Sequence, residues 1–240
     1  MHTIDLILAS SSPRRQAFFH ALGLSFRILT AELDESPLLG ESPVELVARL
    51  AQAKAAAVAE QIPQPDDATT PLIVAADTIV ALDGEILGKP AHAQDATAML
   101  QRLRGQSHQV HSAVALRGLD EAALRLRVNS TTVTMRDYTD AEIAAYVATG
   151  DPLDKAGAYA LQDPLFAPAA ELRGCLASVV GLPLADLAEL LHGYGIVPSC
   201  ALASICETQA AFACCTRDPG AASPPTARAT GLRGGPRATD

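Results

Sequence analysis

The run LIVAADTIVALDGEILGKP, residues 72 to 90, constrains this chain most. It reads as an apolar β-strand interrupted by one acid, Asp77, and closed by Asp83 and Gly84 in the manner of a tight hairpin turn. A carboxylate inside such a strand must be solvated by a cleft, paired with a cation, or bound to a metal, because a bare buried charge is too costly to keep. A purely structural role, with the acid accepting backbone amides, is the competing explanation.

The flanking sequence supplies strands and helices in alternation. Residues 6 to 24, LILASSSPRRQAFFHALGL, pass from an apolar strand through three serines and Pro13 into a helix, and SFRILT follows as a second strand. Ser42, Pro43 and Glu45 form a capping box ahead of a long helix with apolar residues at Val44, Val47, Ala48, Ala51, Ala55 and Val58. QIPQPDDATTP is a surface loop. A helix is expected from about Gln94 to a Gly105 cap, then an antiparallel pair, HQVHSAVALRG and LRLRVNSTTVTMRD, and a helix that Thr139 and Glu142 cap and Gly150 ends. Short strands near Ala158 to Gln162 and Leu176 to Val180 precede a last helix from Leu184 to His192. The class is α/β, a mixed sheet with an antiparallel component. From Pro198 onward Pro, Gly, Ala, Thr and Arg accumulate, so residues 1–197 form the expected domain and 198–240 a disordered tail, within which 199 to 214 could make one short helix.

Charge and cysteine usage narrow the function. A net charge of −9 argues against nucleic-acid partners, which need an extended basic surface. No apolar run is long enough to span a bilayer and no signal-peptide pattern opens the chain, so a cytoplasmic protein without a membrane partner is expected. The five cysteines lack CxxC spacing and are expected as reduced thiols rather than disulfides or zinc ligands. His108 and His111 flank a strand, where histidines more often fill the fold than catalyse.

An anionic ligand must therefore meet a locally basic site. The SSSPRR turn offers one: a helix N-terminus with unpaired amides, hydroxyls from Ser10 to Ser12, and the cationic forks of Arg14 and Arg15. An ordinary capped helix with solvated arginines explains the same residues. Only three of the 18 cationic side chains are lysines, namely Lys54, Lys89 and Lys155, and Lys54 falls on or beside the buried stripe of its helix. A compact ammonium that follows a phosphate charge is one reason to keep Lys in an Arg-rich chain, and chance is the other. GEILGKP is not a P-loop: three residues separate its glycines and Pro90 stands where Ser or Thr should hold magnesium. Asp77 with the acidic turn at Asp34 and Glu35, set among Ser, Arg and Lys, suits metal-assisted phosphate chemistry.

The segments LILASSSPRR, LDES, ARLAQAKA, AADTIV, GEILGKP, LRGQSHQVHSAVAL, GDPLDKAGAYALQ and VVGLPL, in this order over residues 4 to 195, resemble the Maf-like nucleoside triphosphate pyrophosphatases. The resemblance implies an inosine-triphosphatase-like two-lobed fold with a central cleft. It also implies hydrolysis of a nucleoside triphosphate to monophosphate and pyrophosphate with a divalent cation, Mg²⁺ or Mn²⁺. In that frame Asp77 is the general base or the carboxylate that orients the attacking water, Glu35 and Asp77 are the metal ligands with Asp34 as a third candidate, and Ser10, Arg15, Lys54 and Lys89 are the phosphate-binding set. Arg14, Thr78 and Gln162 match the branch similar to dTTP and UTP pyrophosphatases; the 7-methyl-GTP branch has an aromatic, Gln and Glu there. Asp163 and Pro168 depart from the family's Gly and Phe. The partner is a small-molecule triphosphate, with a homodimer admitted. A nucleotide-binding regulator of cell division is the alternative function that the resemblance carries.

Overall fold

The computed structural model describes residues 3–63, 69–119, 124–209, 212, 214 and 215. Strand β1 (Thr3–Leu8) leads to helix α1 (Pro13–Ala21), the short β2 (Arg27–Ile28), α2 (Pro43–Ala59), and the hairpin of β3 (Thr69–Leu82) and β4 (Glu85–Leu87). Then come α3 (Ala93–Leu103), β5 (Ser107–Arg117), β6 (Arg125–Met135), α4 (Asp140–Ala148) and two 3-10 turns (Asp151–Asp154, Ala156–Ala158). β7 (Ala169–Arg173), α5 (Leu176–Val180), α6 (Leu184–His192) and α7 (Leu202–Gln209) complete the order. These strands make one sheet, ordered β2-β1-β3-β5-β6-β7 with β4 also on β3. β1 is parallel to both its neighbours and the other pairs are antiparallel, so the expected mixed α/β class holds.

Successive side chains of a strand point to opposite faces, and β3 uses both. Leu72, Val74, Ala76, Val80 and Leu82 enter a core shared with α1, α3, α4, α5 and α6. Ile73, Ala75 and Ile79 join Ile7 beneath Leu46, Val47, Leu50, Ala51 and Ala55 of α2. The buried apolar residues thus form two cores, one on each face of the sheet. Ser42 and Glu45 exchange the bonds of a capping box at the start of α2, Ser42 N donating to Glu45 Oε2 at 2.9 Å. The Asp83-Gly84 turn takes positive φ at both residues, 51° and 83°, which tightens the β3–β4 hairpin as its sequence requires.

Pairing along one edge of β3 is interrupted. Pairing of β1 with β3 stops at Leu8 opposite Val74, and pairing of β4 with β3 begins at Val80. Between them, residues 75–79 are held by β5 on one side and, among the described residues, by no strand on the other. Asp77 and Thr78 lie in this stretch, where the chain leaves β1 for α1.

Three expectations need correction. Ala158 to Gln162 is not a strand: it follows a 3-10 turn, with Gly157 at φ 72° and Ala158 at φ 61°, a left-handed backbone that no strand accommodates. Leu176 to Val180 is α-helical, closed by Gly181 N bonding Ala177 O at 3.0 Å; an apolar run this short has no period to distinguish helix from strand. β7 is a strand where none was expected.

The chain beyond Val197 is also more than a tail. Ser199 N bonds Leu22 O at 3.1 Å, the Cys200 thiol donates to Ala21 O at 2.7 Å, and a Cβ on Gly23 would overlap Ser199 Oγ. α7 then lies against α5, and Ile205, Cys206, Phe212 and Cys214 are buried in the main core. Weak periodicity hid this segment because one short helix presents only two residues, Ile205 and Cys206, as its buried face. The cysteines are free thiols, and Cys175, Cys206 and Cys214 are buried in this core. No helix among the described residues is long and apolar enough to cross a membrane.

Candidate active site

A cleft of about 820 Å³ opens over the gap in the sheet. Ser10, Arg14, Arg15, Glu35, Lys54, Asp77, Thr78, Lys89 and Gln162, drawn from six separate stretches of chain, all line it. Asp34 does not: its carboxylate turns away and accepts from Ser36 N at 2.9 Å.

Lys54 is the hub of the acidic side. Its position on α2, beside the buried stripe, directs the ammonium at β3, where Nζ lies 2.6 Å from Asp77 Oδ1 and 2.7 Å from Glu35 Oε1. Asp77 is 10% exposed along its side chain. Burial pushes its carboxyl above the ordinary carboxylate range, against the pull of Lys54 and Arg15. Asp77 lines the cleft, and among the described residues its second oxygen makes no hydrogen bond.

Arg15 is the hub of the other side. Nε donates to Gly181 O at 2.8 Å, Nη1 to Ser10 Oγ at 3.3 Å and Nη2 to Thr78 Oγ1 at 3.4 Å. Register sets Thr78 opposite Ser112 on β5, and their hydroxyls meet at 2.8 Å. Because Ser112 Oγ donates to Ser178 O at 2.7 Å, Thr78 must donate to Ser112, which leaves the Thr78 oxygen free to accept from Arg15. The backbone carbonyl at the end of this chain therefore fixes the direction of every bond in it. Burial lowers the Arg15 pKa from its usual value, with Asp77 opposing the shift.

The α1 N-terminus faces the same space. Ser12 occupies the N-cap position but its side chain does not cap, no acid lies in the first turn, and Pro13 opens the helix, so the end keeps its positive character. Lys89 makes no ion pair among the described residues and is the most available cation in the cleft. Arg14 reaches Asp154 at 3.6 Å, and Lys155, also lining the cleft, is spent on Asp151 and Asp154 at 2.9 and 2.6 Å.

The family model described as a Maf-like protein matches residues 5–194. The chain belongs to the Maf family. Among similar Maf proteins, the dTTP/UTP pyrophosphatase of Pelotomaculum thermopropionicum is 46% identical over 193 residues, covering 80% of this chain and 97% of that protein. That of Desulfotalea psychrophila is 44% identical over 80% of this chain and 95% of its own length, and that of Nitratidesulfovibrio vulgaris 47% over 80% and 89%. The solved structure of the Staphylococcus aureus Ham1 protein superposes with a TM-score of 0.36 at 13% identity, over 55% of this chain and 72% of that one.

Set against the Maf pattern, the departures at Asp163 and Pro168 are accommodated locally. Asp163 Oδ1 accepts from Leu165 N and Phe166 N at 2.9 and 2.7 Å, and the Phe166 ring stacks on Tyr146 at 4.3 Å, so the loop after Gln162 is braced. Sequence reasoning missed Ser112, Ser178 and Gly181, which become visible only once strand register is known. It also missed Gln209 of α7, whose Oε1 accepts a hydrogen bond from Gln162 Nε2.

Proposed function

We propose that this Maf protein hydrolyses dTTP and UTP to the monophosphate and pyrophosphate, removing them from the nucleotide pool. The observation that supports this most is the convergence, in one cleft, of a buried carboxylate with a free oxygen and cations on both flanks. The names of the similar proteins supply the substrate class.

In this reading the triphosphate lies along the α1 N-terminus, with Lys89, Arg15 and the Ser10 hydroxyl meeting its oxygens and stabilising the charge that develops as pyrophosphate leaves. Arg15 is held in place by Gly181 and Thr78, so its position needs no rearrangement when substrate arrives. Asp77, a stronger base than an exposed carboxylate because burial raises its pKa, orients the attacking water through its free oxygen and takes its proton.

The acidic side fits a divalent cation. Glu35 and Asp77 bring hard oxygens to within 2.7 Å of one point, which the Lys54 ammonium now holds. Among the described residues no three His, Cys, Asp or Glu side chains gather to hold an ion by themselves, so Mg²⁺ or Mn²⁺ would be held by these two carboxylates together with phosphate oxygens and water. Bound there, the ion would supply charge neutralisation on the phosphates.

The test is product analysis with UTP and a divalent cation. UMP and pyrophosphate are expected, and Asp77→Asn should lower kcat by about 10²- to 10⁴-fold, the usual worth of a general base, with the fold retained. UDP with orthophosphate, or undiminished turnover in the variant, would overturn the reading.

A further inference from the structure

α7 lies beyond residue 194, where the match to the Maf family model ends, yet its Gln209 bonds Gln162, a residue that lines the cleft. The contact is directional. Gln209 Oε1 accepts from Gln162 Nε2, and Gln209 Nε2 itself donates to Thr208 Oγ1 at 3.1 Å. The Thr208 hydroxyl in turn donates to Ile205 O at 2.8 Å, a helix carbonyl that can only accept. Polarity is thus imposed from the backbone outward: Thr208 must donate to Ile205, its oxygen must accept from Gln209, and Gln209 must present its carbonyl to Gln162. The Gln162 amide is left with one orientation. Its Nε2 edge points to α7, and its own carbonyl with one remaining N–H is what it can offer a ligand.

Orientation matters because the two pyrimidine edges are complementary opposites. Uracil and thymine present an N3–H donor beside an O4 acceptor, whereas cytosine presents an N3 acceptor beside an amino donor. An amide free to flip by 180° serves either edge equally; one held in a single orientation serves only one.

We propose that Gln209 is a positioning residue which, through this relay, locks the Gln162 amide and makes the cleft discriminate uracil and thymine from cytosine. This rests on the dTTP and UTP reading above. The docking of the segment supports it independently: Ile205 and Phe212 are buried in the core and Ser199 seats against Gly23, so α7 is fixed firmly enough to orient a side chain.

The experiment measures kcat/KM for UTP and CTP in the full chain, in Gln209→Ala, Gln209→Glu and Gln162→Ala, with melting temperatures alongside. Gln209→Ala should lower the UTP-to-CTP ratio by roughly three- to tenfold, the worth of one neutral hydrogen bond, without altering the fold. Gln209→Glu keeps an acceptor for Gln162 Nε2 and should retain the parent ratio, a rescue that loss of packing alone would not give. Combining Gln209→Ala with Gln162→Ala should lower the ratio no further than Gln162→Ala does. A parent without UTP preference, or one whose preference survives Gln162→Ala, overturns both this inference and the base reading under it. A preference that depends on Gln162 but not on Gln209 overturns the inference alone. A fall in KM for UTP in Gln209→Ala also overturns it, because α7 would then be a plug that substrate must displace.

Discussion

Lys54→Met tests how the buried acid stays ionised. Methionine keeps the length of the stem and removes only the ammonium, so Asp77 loses a 2.6 Å charge-assisted hydrogen bond at a site 10% exposed. Bonds of this kind favour the ionised form by about 1.5–3 kcal/mol, so their loss raises the Asp77 midpoint. Arg15 still attracts the carboxylate from the other side of the cleft and limits that rise. The sign for stability follows. Asp77 already titrates above its unfolded value of 3.8, and removing Lys54 raises it further. Between the unfolded and folded values the folded chain holds a proton that the unfolded chain has released, so the variant loses stability relative to the parent as pH rises through that window. The assay is the carboxyl-carbon resonance of Asp77 followed against pH without divalent cation, with urea unfolding at about pH 4 and about pH 8. A higher midpoint and a deficit confined to the higher pH are expected. An unmoved midpoint would refute the claim that Lys54 holds this charge.

Two further outcomes are expected. His108 is 2% exposed, bonded through Nε2 to Tyr159 at 2.8 Å, and burial pulls its pKa from 6.5 to about 4. The unfolded chain therefore takes up a proton that the folded one refuses, and stability, complete above pH 6.5, is lost as pH falls toward 4 by roughly 3 kcal/mol. His108→Gln should flatten that slope in denaturant titrations across the window, and an identical slope would show that another group carries it. Truncation after Val197 removes the buried Ile205 and Phe212, worth together roughly 3–6 kcal/mol before the ordering entropy regained is subtracted, and should lower Tm by roughly 5–15 °C. An unchanged Tm would return the domain boundary to residue 197.

What the sequence disclosed followed from how local each signal is. The capping boxes at Ser42 and Thr139, the Asp83-Gly84 turn and the β5–β6 pair are written in adjacent residues and were legible. So were the nine cleft residues, because an acid within an apolar strand and a lysine beside a buried helical stripe are anomalies that invite explanation, and the family motifs located the others. The Thr78–Ser112–Ser178 chain was illegible because it depends on register between strands 34 residues apart in sequence. α7 was illegible for a different reason: its weight falls on two core residues and one glutamine, too few to rise above an Ala-rich, Pro-rich background. The two misread strands were short apolar segments whose backbone is decided by positive-φ residues at their margins rather than by hydrophobicity.

The gap in the sheet at residues 75–79 has a use in following the protein at work. Residues 73, 74, 80 and 81 of β3 are paired on both edges, whereas residues 75–79 are paired by β5 alone, and Asp77, Thr78 and Ile79 of this stretch line the cleft. A seated ligand covers that edge, so occupancy registers as slowed hydrogen–deuterium exchange at those amides of residues 77–79 that β5 does not bond. The signal needs neither a label nor turnover. It therefore reports binding in the inactive Asp77→Asn protein as readily as in the parent, separating the recognition of a nucleotide from its destruction at the strand where both take place.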